Sequence, residues 1–337
     1  MNIRTYPIHT SFGEANTQAL NICKEIIGID PSAYDAFVFD FKPYGENNPF
    51  SNLILINTLR RFRLLNPTTQ LACIPKEIDS YLSHIGFYKA IGIPLGKEPG
   101  EAIASSTYVP ITKIDLFGNK FYQTIEKRAM ELAATLQFDV GLQEMLTYCF
   151  IETIRNAYEH AKTKNVWVAA QKWPSFHLVE IAIADEGCGI SESLGKWFDT
   201  DNIGHLRLAC LPGITAKSNF DYMEEDDPWR NSGYGLYVMK ELALAYEGDL
   251  LLCSGGHAIY YYNNGLQARE IVFETNYKGT AIGIRFHTDT RNDFNKVREQ
   301  IIETGQEKSK QINGAIKTAS RSSGGRYHFD DSSLRFH

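Results

Sequence analysis

Apolar positions along the first ~115 residues switch between short runs and helical spacing. Ala36-Phe37-Val38-Phe39-Asp40-Phe41 is an apolar run that predicts a buried strand. From Asn52 to Leu65, apolar residues at Leu53, Ile54, Ile56, Leu59 and Phe62 are interspersed with Arg60, Arg61 and Arg63, an amphipathic helix pattern. Gln70 to Pro75 predicts a second strand ended by its proline, and Ile78 to Ile85 a second helix closed by Gly86. Strand, helix, strand, helix with short connections implies a small α/β unit with parallel pairing.

Tyr108 to Lys120, with Pro110 and Gly118, reads as a connecting segment. Helical spacing follows from Phe121 to Leu136, and again after Phe138-Asp139 to about Ala161. Strands are predicted at 166–170, 177–184, 250–253 and 281–286, each by apolar character or alternation. Helices and this sheet together predict an α+β sandwich with the helices on one face. From about Glu303 onward Ser, Lys, Gly, Asn and Arg dominate, which predicts a mobile polar tail.

Bulk numbers narrow the class. The chain has 337 residues, enough for two domains, with 43% hydrophobic and 22% charged residues. A net charge of −6 gives no global basic field to recruit nucleic acid or an anionic membrane. No run of about 18 apolar residues exists, and the start lacks the apolar core of a signal peptide. Six scattered cysteines without a C-x-x-C pair argue against a disulfide framework or structural zinc. A cytoplasmic protein is expected.

Four short stretches hold the candidate chemistry. Glu152, Asn156 and His160 fall at i, i+4 and i+8 and share one helical face. Alone this fits either a solvated polar ladder or a site, where a carboxylate can act as general base and an amide oxygen suits a hard cation. Asp185-x-Gly187-x-Gly189 follows a predicted strand, as a plain turn does; an aspartate there can also accept a hydrogen bond from a base amino group. Asn231-Ser232-Gly233-Tyr234-Gly235-Leu236 opens a helix, where free N–H groups and the helix dipole favour an anion. Gly279-Thr280 enters the last strand.

In this order, the four stretches resemble the Bergerat-type ATP-binding fold shared by gyrase, histidine kinases, MutL and the anti-sigma serine kinases (the GHKL family), over roughly residues 120–290. The resemblance implies a second domain over 116–292, an α/β sandwich with a mixed sheet, and a site for ATP and Mg²⁺. It implies that Glu152 orients or deprotonates the nucleophile attacking the γ-phosphate and that Asn156 coordinates Mg²⁺. His160, in the "N-A-x-x-H" form of the anti-sigma branch, is expected to support the site. Asp185 would read adenine with Gly187, Gly189 and Thr280, and Gly233, Tyr234, Gly235 and Leu236 would face phosphate. The long connection between Ile190 and Ser232 resembles the family's mobile ATP lid, with Thr215 or Lys217 at the γ-phosphate.

Residues 1–115 resemble, more loosely, the STAS fold of anti-sigma-factor antagonists, with Ser51 where those carry a phosphorylated serine. Pro49-Phe50-Ser51-Asn52 departs from their Asp-Ser-Ser-Gly, and a helix N-cap is the competing role for Ser51. The remaining stretch, 293–337, is expected to be a helix end and tail. The resemblance implies a regulatory ATPase or serine/threonine kinase that acts on a protein partner or on its own STAS-like unit, with a homodimer open. The alternatives are an ATP-gated interaction module with little turnover and a degenerate histidine-kinase relative. The last is disfavoured because Phe121 to Leu136 contains no histidine. P-loop, ordinary protein-kinase and catalytic zinc signatures are all missing from the sequence.

Overall fold

A computed structural model describes residues 3–8, 15–30, 36–41, 48–67, 71–73, 78–116, 121–216, 231–263, 265, 267–290 and 292–320. The N-terminal part comprises β1 (Ile3–Ile8), α1 (Ala15–Ile27), β2 (Ala36–Phe41), α2 (Pro49–Leu65), β3 (Leu71–Cys73), α3 (Ser80–His84) and α4 (Phe87–Ala90). The strands form a parallel sheet in the order β1-β2-β3, the pairing expected from helical crossovers.

The larger part comprises β4 (Tyr108–Asp115), α5 (Phe121–Thr135), α6 (Val140–His160), β5 (Asn165–Trp173), β6 (Leu178–Asp185), α7 (Ile190–Leu194), α8 (Asn202–Ala209), α9 (Gly235–Ala245), β7 (Asp249–Ser254), β8 (His257–Asn263), β9 (Ala268–Glu274), β10 (Thr280–His287) and α10 (Phe294–Lys310). Its strands make one seven-stranded sheet, β4-β5-β6-β10-β7-β8-β9, antiparallel at every pairing. The chain is therefore mixed α/β, but this sheet is not the mixed one expected. The hairpin β7–β8 turns on Gly255-Gly256, both at positive φ, the backbone a two-residue hairpin turn requires.

Both faces of the sheet are covered, whereas helices on one face were expected. One face packs under α5, α6 and α9 through Ile151, Ile154, Val168, Ile181, Ile183, Val238, Leu242 and Ile284. The other packs against α1 and α2, with Phe50, Leu53, Ile54 and Cys23 meeting Ala169, Ala182, Ala184, Leu251 and Cys253. Small residues on that second face let α2 lie close: a β-carbon at Gly283 would meet the Phe50 ring at 2.8 Å. The reason is visible in β6, buried without interruption from Val179 to Asp185, as a strand covered on both faces must be.

Three further expectations change. Tyr108–Asp115 is not a connection but strand β4, paired with β5. The region after Glu303, expected to be a mobile tail, continues as α10 to Lys310 and is described to Ser320, with Ser309 fully buried. Ser51 is neither exposed nor the N-cap. Asn48 caps α2, Ser51 is its partner in a capping box, and Ser51 is fully buried.

Candidate functional site

The site begins with sheet register. Antiparallel pairing sets Ala281 of β10 opposite Ala184 of β6, so Thr280 at the start of one strand lies beside Asp185 at the end of the other. Asp185 Oδ1 accepts from Gly187 N at 2.8 Å and from Thr280 N at 3.3 Å. Its side chain is almost fully buried, and burial pushes the carboxyl up to about 7 against the pull of those two backbone bonds. Ser254, the last residue of β7, ties the neighbourhood together. Its hydroxyl reaches Gly279 O at 2.9 Å and Thr280 Oγ1 at 3.1 Å, and it accepts from Ile190 N at 2.9 Å.

The long helix α6, capped by Asp139, brings Thr153, Asn156, Ala157 and His160 to the same place. These residues, with Asp185, Cys188, Gly189, Ile190, Thr280, Ile282, the stretch Ile214–Ala216, and Asn231, Gly233, Gly235 and Leu236, border one cleft that is open in part to solvent. Isoleucine and leucine walls with a few polar groups are the usual chemistry of such a cleft. The opening of α9 forms one wall, where first-turn N–H groups lack helical partners.

Of the residues expected at the site, nine line this cavity: Asn156, His160, Asp185, Gly189, Thr215, Gly233, Gly235, Leu236 and Thr280. Glu152, Gly187 and Tyr234 are not among its lining residues. Lys217 lies outside the described residues. Tyr234 turns the other way, because its fully buried phenol contacts Ser309 Oγ at 3.1 Å and Ile316 O at 3.2 Å. Part of the expected lid, Ile190–Ala209, is the helix pair α7 and α8 rather than loop.

Glu152 is buried beneath the cavity, with Oε1 at 3.2 Å from Arg155 Nη1. Arg155 also pairs with Glu159 at 3.3 Å, so one buried guanidinium serves two carboxylates of α6. Glu159 Oε2 accepts from Asn231 Nδ2 at 2.7 Å, and the same amide lies 3.0 Å from His160 Nε2. Asn231 donating there makes Nε2 the acceptor, which leaves the ring proton on Nδ1. His160 thus fastens α6 to the turn that enters α9.

Most of the motif glycines are hemmed in by protein, so that an added β-carbon would strike a neighbouring segment. At Gly187 it would run into Ala161 O, at Gly279 into Asp185 O, and at Gly235 into the Glu152 carboxylate. These glycines permit the close chain crossings that bring the four stretches together. Positive φ at Gly233 and Gly279 adds a second demand.

Sequence reasoning missed Ser254, Asn231 and Tyr277. Asn231 stood in the quoted stretch, and its bond from Gly233 N to Oδ1 at 2.9 Å is the Asx turn that an Asn-x-Gly sequence favours. Comparison with models of protein families, with curated proteins and with solved structures finds no match. No helix among the described residues is long and apolar enough to cross a membrane.

Proposed function

We propose that the cavity is a Mg·ATP site and that the chain is a regulatory ATPase or serine/threonine kinase of the GHKL type. One observation carries this reading: four stretches far apart in sequence, 152–160, 185–189, 231–236 and 279–280, all contribute residues to one cavity. Asp185 would accept the adenine amino group, its carboxylate held by Thr280 and Gly187. Phosphates would face the N-terminus of α9, where N–H groups and dipole favour an anion.

The donor set fits Mg²⁺. That ion keeps most of its waters and the phosphate oxygens, so one amide oxygen, from Asn156 on the cavity wall, is an adequate protein contribution. Bound there, the ion would neutralise charge on the transferring phosphoryl group. Thr215, on the opposing stretch, would offer a hydroxyl to the same phosphates.

A second reading has its own support. Glu152, the residue expected to activate the nucleophile, is buried, paired with Arg155 and not among the residues that line the cavity. In that arrangement the site binds ATP and turns over little, and nucleotide would serve to change affinity for a partner. Incubation of the full chain with γ-labelled ATP and Mg²⁺ separates the two. Label released as phosphate or transferred to a protein supports the enzyme; bound ATP recovered intact supports the gated module.

A further inference from the structure

The segment after α10 closes back onto the cavity wall. Ile316 N donates to Gly213 O at 2.8 Å, and Ile316 O accepts from the Tyr234 phenol at 3.2 Å. Ser320 N donates to Ser232 Oγ at 2.9 Å. Gly213 and Ser232 stand at the two approaches to the cavity-lining residues Ile214, Thr215 and Ala216 on one side and Gly233, Gly235 and Leu236 on the other. Gly213 N in turn donates to Gly233 O at 3.1 Å, so the two approaches are also joined to each other.

Packing reinforces these bonds. Ala315 and Ile312 enter a small apolar cluster with Leu194, Ala209, Ile214 and Leu236, and Leu236 also packs against the core on one face of the main sheet. Gly213, at positive φ, leaves no room for a β-carbon beside Ile316 O. The segment is itself anchored: Ala319 N donates to Gln306 Oε1 at 3.2 Å, and Ser309 is fully buried under it.

We propose that residues 311–320 are a built-in clamp that positions the α9 side of the cavity, and that Ile316 and Ser320 are positioning residues for the phosphate end of the bound nucleotide. The inference rests on the ATP reading above. None of the clamp residues lines the cavity, so they act through Gly213 and Ser232. Adenine contacts at Asp185 and Thr280 lie on the sheet and do not depend on the clamp. Loosening it should therefore weaken recognition of the triphosphate and leave recognition of the nucleoside intact. A generally damaged fold would weaken both.

The test compares full-length wild type with Ile316→Pro, which deletes the N–H given to Gly213, and Ile316→Val, which keeps it. Ser320→Pro provides a second, independent loss of a clamp bond. Affinities for Mg·ATP and for adenosine are measured by calorimetry, and amide exchange is followed over 209–216 and 232–236. Each proline variant should bind Mg·ATP about tenfold more weakly, as expected for one unfulfilled hydrogen bond. Adenosine affinity should stay within about twofold, exchange over both stretches should accelerate, and Ile316→Val should match wild type. Equal Mg·ATP affinity in wild type and both proline variants, or parallel loss of adenosine and ATP binding, would overturn the clamp. Failure of wild type to bind ATP is a separate outcome that removes the nucleotide reading and this inference with it.

Discussion

The Tyr277 phenol donates to the backbone carbonyl of Asp185 at 3.0 Å and accepts from Asn57 Nδ2 at 2.8 Å. Asn57 belongs to α2, so a fully buried chain of two hydrogen bonds connects the N-terminal part to the residue that would read adenine. Arg60, one turn further along α2, adds an ion pair to Glu186 at 3.2 Å. The N-terminal part is thus in direct contact with the candidate site.

Replacing Tyr277 with Phe leaves Asn57 Nδ2 and the Asp185 carbonyl without this partner. Unfulfilled buried groups of this kind cost about 1–3 kcal/mol. Denaturant unfolding should show a loss in that range, together with a several-fold loss of adenosine affinity. An unchanged unfolding midpoint would show that the bridge carries no energy.

Asp185 sets a pH dependence. Its carboxyl titrates at about 7 in the folded chain, raised by burial from an ordinary value near 3.8. A base amino group donates to the ionised form, so affinity falls as pH drops below about 7. Between pH 8 and 6 adenosine should bind up to about tenfold more weakly, a trend that Asp185→Asn abolishes. Stability has the opposite sense. The folded chain retains this proton between about pH 4 and 7 while the unfolded chain releases it, so the contribution is full below pH 4 and lost as pH rises through 7. Calorimetric titration and urea unfolding across that range check both signs.

Much of this arrangement was legible in the sequence. The i, i+4, i+8 spacing placed Asn156 and His160 on one face of α6, and the strand before Asp185 placed that residue at a sheet end. Parallel pairing of β2 and β3 followed from the helix between them. The second covered face was harder to read, because Ala169, Ala182 and Ala184 are small and become core only when α2 lies on them. Strands β8 and β9 were missed although Gly255-Gly256 before an Ala-Ile-Tyr-Tyr-Tyr run is a hairpin signal. The polar composition after Glu303 concealed α10, whose capping Asp293 and buried Gly305 and Ser309 are single residues in a charged stretch. Distant partners such as Tyr277 and Ser254 leave no local pattern.

Glu152 separates turnover from binding. Glu152→Gln keeps the side chain's shape beside Arg155 and Gly235 while removing the base. Mg·ATP affinity should change little, and hydrolysis should fall about 10²–10⁴-fold, the usual contribution of a general base. Equal turnover in wild type and variant would favour the gated-binding reading.

Ser51 should carry no phosphate after incubation with ATP, because its hydroxyl is fully buried and engaged with Asn48. Mass spectrometry of the treated chain checks this. Ser51→Asp should destabilise the fold by several kcal/mol, since it buries a charge against the Asn48 cap. A stoichiometric phosphate at Ser51 in folded protein would mean that α2 leaves the sheet.

The central claim is an adenine nucleotide held at Asp185. Its most direct measurement is calorimetric titration of the full chain with Mg·ATP, run beside Asp185→Asn and a GTP control. Saturable one-to-one binding of ATP, weak binding of GTP, and a roughly 10–100-fold loss in the variant are predicted from one lost charged hydrogen bond. No heat of binding in folded wild type, or equal affinity for ATP in wild type and Asp185→Asn, would contradict it.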